Sequence, residues 1–321
     1  MKILIVKLSS LGDVVHTLPA AMDIHTQVAH AHIDWVVERS FAPLVQRCEA
    51  VQRVIACDLR QWRKHPLAHS THAAWRSFKQ DLQQQHYDVV LDLQGLTKSA
   101  WMSWLANTSA QGQRFALGNQ TDGSGYEAPT RWVADQAIVL PAHTPAVFRS
   151  RLMCAKALGY ALPDVLRYGL NTQTPVKGQN SNCVALVHGT SRADKEWPQS
   201  HWIALGQRLH AQGFQVALPH GNAAELERSQ RLAQALPNAV VWPSLSLDAL
   251  TCELATCAGV IGVDSGLSHI AVALDVPHVQ IYNFDTAWRT GPLDATRQCS
   301  VFDSPTPSVE AVWQAWCKVS A

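Results

Sequence analysis

Five short stretches of this chain carry residue types able to do chemistry. The first, KLSSLGDVVHTLPA at 7–20, places one carboxylate, Asp13, beside Ser9, Ser10 and Gly12, directly after the apolar run MKILIV. A strand turning through small residues into a helix lets a substrate approach the backbone, and an acid there can act as general base on a hydroxyl. Taken alone, the same acid could serve only the helix macrodipole, for roughly 0.3–1 kcal/mol. The second stretch, HGTSRADKEWP at 188–198, combines Gly189, the hydroxyls of Thr190 and Ser191 and the ammonium of Lys195 ahead of Pro198, a favourable first residue for a helix. Hydroxyls, amides and a lysine in one loop can surround a pyrophosphate, the lysine mattering more as the leaving group departs. The third, GVDSGLSHIAVALDVP at 262–277, brings Asp264, Ser265 and Gly266 to a helix start with His269 in its first turn. An acid there is repelled by a bare phosphate, so Asp264 is expected to order loop amides or take a sugar hydroxyl.

The remaining two stretches are basic. LRQWRKHP at 59–66 holds Arg60, Trp62, Arg63 and Lys64, and LDLQGLTKSA at 91–100 holds Gln94, Gly95 and Lys98. Guanidinium forks and ammonium groups beside aromatic rings suit the carboxylates and phosphates of an acidic acceptor, although a run of charge also makes an ordinary solvated face. Trp101 and Trp104 could be core or could sit at a membrane interface, core being the expectation.

Positioning these stretches requires strand-to-helix turns, and the chain supplies them. Strand-length apolar runs recur at 3–8, 33–38, 51–56, 88–93 and 137–141, then at 183–189, 214–221, 239–243, 259–266 and 278–283, with helical segments between them. Near-continuous Val/Ile/Leu runs alternating with helices read as parallel sheets buried on both faces. The expected fold is α/β, two Rossmann-like doubly wound domains with ligands outside the carboxyl ends of the strands. The pattern weakens over the polar stretch 160–182, which sets the expected limits: a domain at 1–165, a linker at 166–182, a second domain at 183–306 and a terminal helix at 307–321, capped by Ser308.

Composition narrows the function. At 321 residues and a formal net charge of +1, the chain is long enough for two cores and has no global field to attract nucleic acid. The eight cysteines are scattered in apolar surroundings without C-x-x-C pairs, as expected of reduced, buried thiols. Neither a signal-peptide pattern nor a run of about 20 apolar residues is present, so a soluble cytoplasmic protein is expected, with a peripheral membrane role open. The single glycine of the first turn does not supply G-x-G-x-x-G, which disfavours a dehydrogenase, and no D-x-D sequence offers to chelate a metal between phosphates.

Taken together, MKILIVKLSSLGDVVHTLPA, DLQGLTKSA, HGTSRADKEWP and GVDSGLSHIAVALDVP resemble the lipopolysaccharide heptosyltransferases, in particular the heptosyltransferase I branch, in consistent order from Met1 to about Asp285. LRQWRK and the LGY at 158–160 also have counterparts there. The resemblance implies a GT-B architecture, its two domains facing across a cleft, with acceptor on the N-terminal and sugar nucleotide on the C-terminal side. It implies inverting transfer of L-glycero-D-manno-heptose from ADP-heptose to a Kdo residue of Kdo2-lipid A, without a cofactor or metal, at the cytoplasmic face of the inner membrane. Asp13 is then the base. Donor contacts carry over to Thr190, Ser191, Lys195, Asp264, Ser265, Gly266 and His269, and acceptor contacts to Ser10, Gly12, Arg60, Arg63, Lys64 and Lys98. Where the family has a ribose-contacting Glu, alignment puts Ala223, leaving Asn222 or Glu225 to take the hydroxyls. The rivals are transfer of heptose onto heptose, a Rossmann oxidoreductase, and a non-catalytic sugar-nucleotide-binding module.

Overall fold

The computed structural model describes residues 1–172, 180–293 and 296–320. They form two compact units, Met1–Asn171 and Thr172–Ala321. The first unit is built on six strands, β1 (Lys2–Val6), β2 (His32–Glu38), β3 (Arg53–Cys57), β4 (Tyr87–Asp92), β5 (Thr108–Leu117) and β6 (Gln136–Ile138). They run parallel in the order β3-β2-β1-β4-β5-β6. Ile3, Leu4, Ile5 and Val6 of the central strand are fully buried, because helices cover both faces of a parallel sheet. Strand order reverses between β1 and β4, so the turns after these two strands open onto one crevice, where doubly wound folds bind ligands.

The second unit repeats this plan with β7 (Asn180–Val187), β8 (Gln215–Leu218), β9 (Val240–Val241), β10 (Cys257–Val263), β11 (His278–Tyr282) and β12 (Gln298–Phe302). Their parallel order, β12-β11-β10-β7-β8-β9, puts the reversal between β7 and β10. The turns at 188–195 and 264–269 therefore share the crevice of this unit.

Two strands were not anticipated. The first half of β5 is polar and partly exposed, with only Phe115, Ala116 and Leu117 buried at its end. Edge strand β12 reads QCSVF and leaves Ser300 and Phe302 exposed, so neither strand has the continuous apolar run of a central position. At the expected linker, β7 begins at Asn180, while residues before 172 fold back onto the first unit. There the Glu49 amide donates to the Gly169 carbonyl at 2.9 Å and the Asn171 amide to that of Arg47 at 2.8 Å. The rest of that expected linker, 173–179, lies outside the described residues.

The terminal helix, Val309–Val319, is no separate appendage. Its Val312, Trp316 and Val319, at helical spacing, enter the core of the second unit beside Val279 and Ile281, and the Ser308 hydroxyl accepts the Ala311 amide at 3.2 Å. All eight cysteines are free thiols. Among the described residues no helix is long and apolar enough to cross a membrane.

Candidate active site

The crevice of the first unit is organised around Asp13. Its Oδ2 accepts hydrogen bonds from the amide of Ser10 at 3.0 Å and from the Ser10 hydroxyl at 2.9 Å. Its Oδ1 lies 3.8 Å from the Lys7 ammonium and 3.5 Å from the Arg149 guanidinium, both buried, while Asp13 itself stays one-third exposed. Burial alone would raise this carboxyl, but the Lys7 charge, the Ser10 donors and Arg149 outweigh it and hold it well below the usual carboxylate range. The cost falls on Lys7, whose ammonium burial lowers to about 8 even with Asp13 beside it. Asp13 is thus ionised at any working pH, and a weak base.

The turn after β4 supports this arrangement. The side-chain carbonyl of Gln94 accepts the amides of Leu8 and Ser9 at 3.0 and 3.1 Å, and Lys98 donates to the Ser9 hydroxyl at 2.8 Å. Gly95 adopts φ +76°, a conformation that favours glycine, and its amide and that of Gln94 bind buried Asp92 at 3.1 and 3.0 Å. Burial raises the Asp92 carboxyl to about 6 despite these donors. Lys98 also lines a surface cavity of about 400 Å³ with Arg63, Leu96, Thr97, Trp101 and Glu127. Lys98 therefore touches the Asp13 turn through Ser9 and shares this cavity with Arg63. Of the other expected acceptor residues, Gly12 lies in the short helix Leu11–Val15 with Asp13, Arg60 sits 6.0 Å over the Phe41 ring, and Lys64 is exposed at the end of helix Leu59–Lys64.

In the second unit the donor candidates converge on Asp264. Lys195 reaches its Oδ2 at 2.5 Å, and His269 Nε2 and Thr290 Oγ1 lie 3.3 and 3.4 Å from its Oδ1. The Gln280 amide adds a contact at 3.5 Å, and the Thr190 hydroxyl donates to the Asp264 backbone carbonyl at 3.4 Å. Burial would raise the Asp264 carboxyl, yet His269 and Lys195 hold it well below the ordinary range. Ser265 begins the helix Gly266–Ala273 and lies 3.4 Å from the Ser268 hydroxyl, which itself donates to the Val263 carbonyl at 2.6 Å. Ser191 is exposed on the Thr190 loop.

Glu225 reaches the same crevice. It accepts the Gly221 amide at 2.6 Å, and a Cβ at Gly189 would come within 2.7 Å of its carboxyl carbon, so only glycine permits the approach. Asn222 is already engaged in capping, its side chain accepting the Glu225 amide at 2.9 Å. Of the two residues left to stand in for Ala223, Glu225 is the one with a carboxylate against the loop.

Several supporting groups escaped the sequence. Lys7 reads as part of an apolar strand, and Arg149 comes from helix Ala146–Leu158, far along the chain. Gln280 and Thr290 hold Asp264 from two other segments. Only a lone cation inside ILIVKL offered a signal. Among the described residues no group of three or more His, Cys, Asp or Glu is placed to hold a metal ion.

Comparison with known proteins supplies the family. Residues 75–314 match glycosyltransferase family 9 (heptosyltransferase). The chain is 39% identical to lipopolysaccharide heptosyltransferase 1 of Pseudomonas aeruginosa over 284 residues, 88% of this chain and 78% of that one. It is 36% identical to the Escherichia coli K12 protein of the same name over 286 residues, 88% of each. Lipopolysaccharide heptosyltransferase 2 of E. coli K12 is 25% identical over 316 residues, 91% of this chain and 86% of that one. Among solved structures, E. coli heptosyltransferase WaaC with ADP is similar at TM-score 0.89 and 32% identity, covering 100% of both chains. WaaC with ADP-2-deoxy-2-fluoro heptose gives 0.83 and 34%, covering 98% of both. With α/β architecture, strand order and sequence likeness in agreement along the chain, it belongs to glycosyltransferase family 9, the heptosyltransferases.

Proposed function

We propose that the protein transfers L-glycero-D-manno-heptose from ADP-heptose to a Kdo hydroxyl of Kdo2-lipid A, with inversion at the anomeric carbon. The observation carrying this reading is the Asp13 cluster, one ionised carboxylate held by Lys7, Ser10 and Arg149 in the turn that Lys98 contacts through Ser9, in a chain 39% identical to a heptosyltransferase 1. The acceptor oxygen attacks the anomeric carbon as the bond to the ADP β-phosphate oxygen breaks. Asp13 takes the hydroxyl proton, and the electron pair leaves with ADP. A carboxylate held so far below its usual range is a weak base, so proton transfer comes late, after an oxocarbenium-like carbon has made the hydroxyl acidic.

Lys195 and the amides of the 189–191 loop stabilise the departing diphosphate, work that a metal ion would otherwise do, while Asp264 and His269 hold Lys195 and the loop in position. Arg63 and Lys98 meet the acceptor carboxylates or phosphates, and Glu225 takes ribose hydroxyls. Because lipid A is embedded in a bilayer, the enzyme works peripherally, on the cytoplasmic face of the inner membrane. The lower identity to heptosyltransferase 2 favours a Kdo over a heptose acceptor. Purified enzyme should release ADP faster with Kdo2-lipid A than with its monoheptosyl form, and the reverse preference overturns the acceptor assignment.

A further inference from the structure

We propose that the outer face made by helices Thr97–Leu105 and Pro129–Val133 is a membrane-docking surface, seating Trp104 and Trp132 among the headgroups of an anionic bilayer. The proposal rests on the lipid-borne acceptor of the preceding section. It is carried by an uneven distribution of tryptophan. The chain has 12 tryptophans, among them the fully buried Trp35, Trp202 and Trp316. The large exposed ones are Trp101, Trp104 and Trp132, at 43%, 63% and 77% exposure, and all three lie on these two helices, which pack against each other. Trp101 and Trp104 are three residues apart on one helical face. A tryptophan kept in water forgoes the large gain of burying its ring, whereas its apolar body and N–H suit the boundary between headgroups and acyl chains.

The aromatic face is held to a cationic one. Trp101 stacks on Trp75 at 4.6 Å, and Trp75 meets Trp62 edge-on at 5.3 Å. Trp62 is the buried anchor of helix Leu59–Lys64, whose Arg63 and Lys64 face solvent, followed by Leu67 at 88% exposure. Arg131 stands exposed beside Trp132. Two acids share the face and keep their charge, Glu127, which accepts the Thr97 amide at 2.7 Å, and Asp135, which accepts that of Arg114 at 2.7 Å, against the three cations Arg63, Lys64 and Arg131. An apolar aromatic patch rimmed by cations complements anionic lipid, each cation adding to attraction that decays within a Debye length. Among the described residues no helix can span the bilayer, so this surface would lie on it.

The test uses the full chain with unilamellar vesicles, without sugar nucleotide or acceptor, so its outcome is independent of the transferase reading. Wild-type protein should cosediment with phosphatidylcholine vesicles containing phosphatidylglycerol at least about tenfold more strongly than with phosphatidylcholine alone, and lose that preference at high salt. Trp104→Gln with Trp132→Gln should weaken binding roughly tenfold or more while leaving melting temperature and turnover on a deacylated, water-soluble acceptor unchanged. Arg131→Gln should reduce the preference for anionic vesicles. Wild-type affinity in the double tryptophan variant overturns the proposal, as does a concentration-dependent dimer in solution that the same variant abolishes. Wild-type protein that binds anionic vesicles but releases no ADP from ADP-heptose in the presence of Kdo2-lipid A would strike at the transferase reading and leave the docking surface standing.

Discussion

Replacing Lys7 by methionine isolates the electrostatic clamp on Asp13. The ammonium lies 3.8 Å from Asp13 Oδ1, which at an effective dielectric constant of about 20 corresponds to roughly 4 kcal/mol. Because Asp13 is one-third exposed, screening reduces this to about 2 kcal/mol, or roughly 1.5 pH units of basicity. Asp13 remains ionised at neutral pH in the variant, since the Ser10 donors and Arg149 stay. Lys7 itself, lowered by burial to about 8, should lose its charge as pH passes through that value, releasing Asp13 in the wild type too. If about half of the gained basicity is felt in the transition state, single-turnover rates of the wild type should rise about fivefold between pH 7 and 9. Lys7→Met should show the higher rate already at pH 7, no rise through pH 8, and an unchanged ADP affinity. A wild-type rate that falls through pH 8, or a folded variant slower by about 10² at every pH, would refute the assignment of Lys7 as a brake on Asp13 basicity.

Other perturbations probe the supporting groups. The Asp92 carboxyl, raised by burial from 3.8 to about 6, binds its proton more tightly in the folded chain, so stability should fall as pH rises from about 4 to 6, by up to about 3 kcal/mol. Asp92→Asn keeps an acceptor for the Gln94 and Gly95 amides and can donate to Ser99, so its melting temperature should lack that pH dependence; a persisting slope assigns it elsewhere. Lys195→Met leaves buried Asp264 with His269 and should cost up to about 3–5 kcal/mol of stability, and about 10²–10³ in kcat. Adding Asp264→Asn should recover melting temperature and not turnover; recovered turnover would remove Lys195 from leaving-group stabilisation. Glu225→Ala should weaken ADP binding roughly tenfold by calorimetry, and an unchanged Kd would take it out of the ribose site.

The sequence displayed most of what lies at the strand ends. β1, β4, β7 and β10 announce themselves as apolar runs because they are buried on both faces, and the polar residues after them stand out against that background. What tunes those residues was hidden because it is tertiary. Lys7 looked like strand continuation, and Arg149 reaches Asp13 from 136 positions away. Gln280 and Thr290 likewise meet Asp264 only after folding. β12 lacks an apolar run because an edge strand is under less pressure to be apolar, and β5 because only its last three residues, Phe115, Ala116 and Leu117, pair with β6 on the outer side. Glu225 was ambiguous beside Ala223 until the contact with Gly189 distinguished it from Asn222.

The proposed heptosyl transfer turns on Asp13 taking the acceptor proton. The direct measurement is ADP release from ADP-heptose with and without Kdo2-lipid A, comparing wild type with Asp13→Asn and checking ADP affinity in both. Release should depend on the acceptor and fall at least ~10²-fold in the variant while ADP binds unchanged. Release in the variant at the wild-type rate would contradict it.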